Sequence, residues 1–126
     1  MRLLVVWYAA MHEFGIGQEL VAAVSAELSR FSPPPRLQCV RVVVGGLRQV
    51  IPDNLLFAYE VLSRDTPAAG SVLEIETLPL RGECADCGWQ GEITLPVFQC
   101  GACGAYAVRT LGGMELYLDS LEIEEG

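Results

Sequence analysis

The chain of 126 residues holds a single histidine, His12, and few basic groups: eight Lys+Arg against 16 Asp+Glu leave a formal charge of −8. It also lacks any run of the ~18 to 20 apolar residues that a membrane-spanning helix needs. Each scarcity excludes a class of function. Without a basic stripe to neutralise phosphates, nucleic acid is not a natural partner, whereas basic protein surfaces and metal cations are. Without a second histidine, a nucleophile elbow or a phosphate-binding loop, a hydrolytic centre has no parts to be built from. The opening MRLLVVWYAA imitates a secretory signal. It is shorter than the ~15 to 30 residues such segments need, and Tyr8 stands where a small residue should precede the cut. The expectation is a cytoplasmic protein.

What is present is a composition 52% hydrophobic and 8% aromatic, enough for one globular domain with a small satellite. Apolar residues at Phe14, Gly17, Leu20, Val21, Val24 and Leu28 predict a helix over 13–29. The prolines of FSPPPR stop it, and LQCVRVVVGG then reads as a strand. A second helix follows in IPDNLLFAYEVLSRDT, opened by Pro52 or Asp53, with Leu55, Leu56, Tyr59 and Leu62 on its buried face. In SVLEIETLPL, Leu73 and Ile75 alternate with Glu74 and Glu76, as in a sheet with one wet face. The last strand, MELYLDSLEIEE, shifts its apolar phase between Leu118 and Leu121, which suggests a bulge near Asp119–Ser120. The order predicts an α+β fold: a three-stranded sheet with two helices, and a small zinc-ribbon-like domain inserted before the last strand.

That insert carries CADCG and CGACG, which give Cys84, Cys87, Cys100 and Cys103 with twelve residues between the pairs. Two residues between cysteines let both sulfurs reach one metal, and Gly88 and Gly104 follow where a knuckle needs positive φ. Four thiolates suit tetrahedral Zn²⁺ in a closed, non-hydrolytic site, with a hairpin expected through EITLPVF. A rubredoxin-like iron centre shares the ligand set, so an electron carrier stays open, as does a zinc-ribbon module binding protein or nucleic acid. Five cysteines, an odd number, fit metal ligation better than disulfides. The fifth, Cys39, reads as a small hydrophobe on a strand.

His12 falls at the predicted mouth of the first helix. No Ser, Thr, Asp or Asn precedes it there, so the first helical amides lack side-chain partners. Nitrogen donors of that kind, once deprotonated, suit square-planar Cu(II) or Ni(II), with the Glu13 carboxylate offsetting the helix dipole. MHEFGIGQELV, VVVGGLRQVIPDNLLFAYEVLSRDTPAAGSVLEIETLP, the paired CxxCG knuckles and GGMELYLDSLEIEE together resemble the HypA/HybF family, in order from Met11 to Glu125. The resemblance implies a nickel metallochaperone for [NiFe]-hydrogenase maturation, not an enzyme. It implies nickel at Met11, His12 and Glu13 with Asp53 linked to them, and zinc at Cys84, Cys87, Cys100 and Cys103. It also implies a HypB-type GTPase and the hydrogenase large subunit as partners, urease maturation proteins in some members, and a monomer or homodimer. Members begin at the methionine, so translation is expected to start at Met11. Residues 1–10 then form an extension outside the working protein, 11–81 with 112–126 the nickel-binding domain, and 82–111 the zinc-binding domain.

Overall fold

The structure, a computed structural model, describes residues 2–124, and within 2–11 the course of the backbone alone. Helix α1 runs Arg2–Leu28, followed by strand β1 (Leu37–Gly45), a 3-10 turn (Gly46–Arg48) and helix α2 (Pro52–Ser63). Strands β2 (Val72–Leu78), β3 (Arg81–Cys84), β4 (Gln90–Glu92), β5 (Val108–Thr110) and β6 (Leu116–Ile123) complete the chain. One sheet has the order β2-β1-β6 and the other β4-β3-β5. No helix of the described residues is long and apolar enough to cross a membrane.

The start of α1 corrects the expected helix over 13–29. LLVVWYAAM contains neither Gly nor Pro, and its Leu and Ala favour helix, so nothing interrupts the turn before Met11. His12 is therefore interior to a continuous helix, not at an open mouth. Its amide and that of Glu13 are directed at carbonyls one turn back.

The chain divides into two compact units, Met1–Val42 with Val50–Ile75 and Leu118–Gly126, and Val43–Gln49 with Glu76–Tyr117. Strands β1, β2 and β6 contribute residues to both. In the first, α1 buries Ile16, Leu20, Val21, Val24 and Leu28, each worth about 1.5 to 3 kcal/mol when fully withdrawn from water. Phe14, expected on that face, is only half-buried and meets Phe57 edge-on at 6.0 Å between ring centres. Helix α2 buries Leu55, Ala58, Tyr59 and Ser63. Leu56, expected inside, is 40% exposed, because it lies ~100° around the helix from Leu55. The two helices approach closely where side chains are small. A Cβ on Gly17 would stand 3.0 Å from Leu62 Cδ1 and 3.4 Å from Ala58 Cβ. Along β1, Val40 and Val42 are buried while Arg41 is exposed and pairs with Glu74 of β2 at 2.9 Å. Leu73 is buried and Ile75 half-buried between exposed Val72, Glu74 and Glu76, the alternation expected of this strand. On β6 the half-buried positions step from Leu118 to Leu121, keeping the three-residue shift.

The second unit holds the cysteines. Antiparallel pairing sets Gly82 opposite Gly91 in β4 and opposite Thr110 in β5. Gly82 has no room for a side chain: a Cβ would stand 2.6 Å from Val108 Cγ1 and 2.9 Å from Ile93 Cγ1. The hairpin expected through EITLPVF is absent. β4 ends at Glu92, and the Val97 amide turns back onto the Thr94 carbonyl at 3.1 Å across Pro96, which has no N–H for a ladder. The strand pairs instead are β3 with β4 and β3 with β5.

Candidate metal centres

The two cysteine knuckles are built alike. Gly88 N–H donates to the Cys84 carbonyl at 2.9 Å and Gly104 N–H to the Cys100 carbonyl at 3.2 Å. Cys84 N–H donates to the Trp89 carbonyl and Cys100 N–H to the Ala105 carbonyl, both at 2.8 Å. Gly88 and Gly104 take φ of 80° and 75°, the left-handed conformation that glycine adopts without a Cβ clash. Chain positions four apart thus close the same turn twice, and each turn aims two sulfurs at one point.

The sulfurs of Cys84, Cys87, Cys100 and Cys103 all lie within 4.8 Å of one another. Cys84 and Cys103 are 3.7 Å apart and Cys87 and Cys100 are 3.5 Å apart. Metal–sulfur bonds of ~2.3 Å at tetrahedral angles require sulfurs ~3.8 Å apart, so the donor set fits zinc. Cys84 and Cys100 are buried, Cys87 and Cys103 exposed. Burial opposes ionisation of Cys100, but the amides of Cys103 and Ala102, both 3.3 Å from its sulfur, and the adjoining thiols pull it down to about 6. The Trp89 amide favours the Cys87 thiolate, yet the thiols of Cys100, Cys103 and Cys84 with partial desolvation push it up to about 12. Of these two sulfurs, Cys100 is the readier to meet a metal as a thiolate. Zinc held there would supply folding free energy on the order of 10 kcal/mol to a segment with few buried apolar residues. Trp89 lies half-buried over this site, its ring filling the space that a Cβ on Gly91 or Gly101 would need.

The second group of site residues lies in the other unit. His12 is exposed on α1, and Asp53 is exposed in the first turn of α2. Glu13, by contrast, is 1% exposed, and its Oε1 accepts the Ile51 N–H at 3.0 Å. Glu13 thereby ties α1 to the entrance of α2, bringing the chain next to His12 to within two residues of Asp53. The side chain of Met11 lies outside the described residues. No metal cluster other than the four cysteines forms among the described residues.

A family model described as "Hydrogenase/urease nickel incorporation, metallochaperone, hypA" matches residues 11–123. The chain belongs to the HypA family. A hydrogenase maturation factor HypA of Desulfosudis oleivorans is 36% identical over 115 residues, covering 91% of this chain and all of the relative. Another, from Geobacter metallireducens, is 37% identical over 114 residues, covering 90% of this chain and all of the relative. The solution structure of the Ni metallochaperone HypA from Helicobacter pylori aligns with a TM-score of 0.56 at 21% identity, over 88% of this chain and 96% of its own. That likeness establishes the shared fold. HypA membership selects among the readings the residues left open: a nickel metallochaperone of hydrogenase maturation, with a four-cysteine site that fits zinc.

Two participants escaped the sequence. The Ile51 amide, which holds Glu13, is a backbone group with no residue signature. A weak signal existed in α2, whose N-cap residue Ile51 has no side chain able to cap and whose Pro52 has no N–H. Trp89 follows the first knuckle directly, but its stacking against the second is visible only in three dimensions.

Proposed function

We propose that this chain carries Ni(II) as cargo and catalyses nothing. Nickel is taken at His12 and the backbone nitrogens beside it, with Met11 at the start of the hook and Glu13 and Asp53 flanking it. Zinc stays on Cys84, Cys87, Cys100 and Cys103 as the resident ion of the 82–111 domain, and the nickel hook belongs to 11–81 with 112–126. The observation that carries the reading is the solvent exposure of the chain's only histidine, one residue after the start of the HypA match. An exposed, weakly caged site suits transfer, because a closed cage releases its ion slowly.

Translation from Met11 belongs to the same proposal. The family match begins at that residue, and relatives of full length align with 115 or 114 residues of this chain. Residues 1–10 then take no part in the working protein. A HypB-type GTPase supplies or loads the nickel, and the [NiFe]-hydrogenase large subunit receives it in the cytoplasm. Urease maturation proteins and a second copy of the chain, as homodimer, are further partners of this reading. The net charge of −8 suits basic protein surfaces as partners.

His12→Ala is the direct test. Nickel titration should show stoichiometric binding lost, while metal analysis still finds one zinc per chain. Full nickel stoichiometry in that variant removes His12 from the site.

A further inference from the structure

Glu13 is placed beside the nickel hook in the sequence, but its carboxylate points the other way. Successive helical residues are rotated by ~100°, and here the step takes His12 into solvent and Glu13 into the seam between α1 and α2. There its Oε1 accepts the Ile51 N–H across 38 residues of sequence. Helix α2 needs that acceptor. Its N-cap residue, Ile51, has no side chain to offer, Pro52 has no N–H, and the Asn54 amide turns back onto the Ile51 carbonyl at 3.0 Å. In a capping box a glutamate within the helix reaches back to the N-cap amide; here a glutamate on another helix does so. The second oxygen, Oε2, is buried and has no hydrogen-bond partner among the described residues. Such an oxygen is costly in an apolar seam. The positive end of the α2 dipole, toward which the carboxylate is held, offsets part of that cost.

We propose that the Glu13 side chain has a positioning role: its carboxylate donates nothing to nickel, and by capping α2 at Ile51 it holds the His12 segment against the Asp53 segment. This rests on the reading that nickel is taken at His12. The cap requires an acceptor oxygen at Oε1 and not a negative charge, so glutamine can replace glutamate there and alanine cannot. A metal ligand behaves differently, since an amide oxygen is a much weaker nickel donor than a carboxylate.

The experiment compares the wild-type chain, Glu13→Gln and Glu13→Ala by nickel titration against a chromophoric chelator and by amide hydrogen exchange at Ile51. Glu13→Gln should keep the Ile51 amide protected and the nickel affinity within about threefold of wild type. Glu13→Ala should expose that amide and weaken nickel binding about tenfold, the ~1.4 kcal/mol within the range of a lost helix cap. Nickel lost from Glu13→Gln with Ile51 still protected makes the Glu13 carboxylate a ligand and overturns the proposal. Nickel unchanged in Glu13→Ala with Ile51 exposed also overturns it, since the bond then serves the fold alone. Exchange in the wild-type protein decides the matter even where a variant does not fold. Ile51 should stay protected when Ni(II) is added, and loss of that protection means the carboxylate has left the cap for the metal. Failure of the His12 reading is seen separately, as nickel retained by His12→Ala.

Discussion

Removing residues 1–10 should strengthen nickel binding, and the structure sets the scale. In the 126-residue chain α1 begins at Arg2, so the His12 and Glu13 amides lie well inside a helix. Binding nickel through those two nitrogens requires their helical hydrogen bonds to open. At ~1 kcal/mol net per bond, two bonds cost ~2 kcal/mol, or about 30-fold in affinity. A chain starting at Met11 has no carbonyls one turn back, so its first amides are free, and its α-amine adds a donor that an Ala10–Met11 peptide nitrogen supplies only after losing a proton. The ~30-fold difference is therefore a lower bound. Competition titration with a chromophoric chelator measures both dissociation constants, and far-ultraviolet circular dichroism supplies a second signature. Nickel should reduce the helicity of the longer chain and leave that of the shorter one unchanged. Equal affinities within about threefold, with helicity preserved in both, would refute nickel ligation by these backbone nitrogens.

Zinc uptake should depend on pH through Cys100. Its thiol is lowered from an ordinary value of 9.0 to about 6, so the thiolate is favoured by the fold; that contribution is complete above ~9 and is lost as pH falls through ~6. Zinc uptake by the metal-free protein should therefore slow below about pH 6, followed by Trp89 emission in a chain whose Trp7 is replaced by Phe. An unchanged uptake rate down to pH 5 contradicts this assignment of the Cys100 thiol. Gly82→Ala drives a methyl into Val108 and Ile93 and should destabilise the cysteine unit by about 1 to 3 kcal/mol, read as a lower thermal midpoint of the zinc-loaded protein. Tyr59→Phe probes the first unit. The Ser71 hydroxyl donates to the Ala68 carbonyl, so the buried Tyr59 hydroxyl is the donor between the two, and its loss should cost about 1 to 2 kcal/mol by denaturant titration.

The zinc centre was legible almost entirely in the sequence, because its chemistry is local. Two residues between cysteines and a glycine after each pair dictate the knuckle, and one metal geometry follows from four thiolates. The alternating Leu73–Glu74–Ile75–Glu76 run likewise announced a strand with one wet face, since side-chain period and burial are the same fact there. Local pattern misled where the chain's neighbours decide. Leu56 has the apolarity of a core residue but stands exposed, because the buried face of α2 is the one carrying Leu55, Ala58 and Tyr59. EITLPVF has strand composition, yet β3 is paired on both sides by β4 and β5, and Pro96 turns the segment away.

The proposed nickel hook divides the two kinds of information most sharply. Residue identity alone determined that a lone imidazole, His12, is flanked by a carboxylate, at the start of the stretch that the HypA model matches. Only the tertiary structure decided what each group is free to do. A helical step of ~100° sends His12 to solvent and Glu13 into the seam with α2, where the Ile51 amide takes its oxygen. Side-chain chemistry is written residue by residue, whereas exposure and hydrogen-bond partnership belong to surfaces assembled from segments distant in the chain.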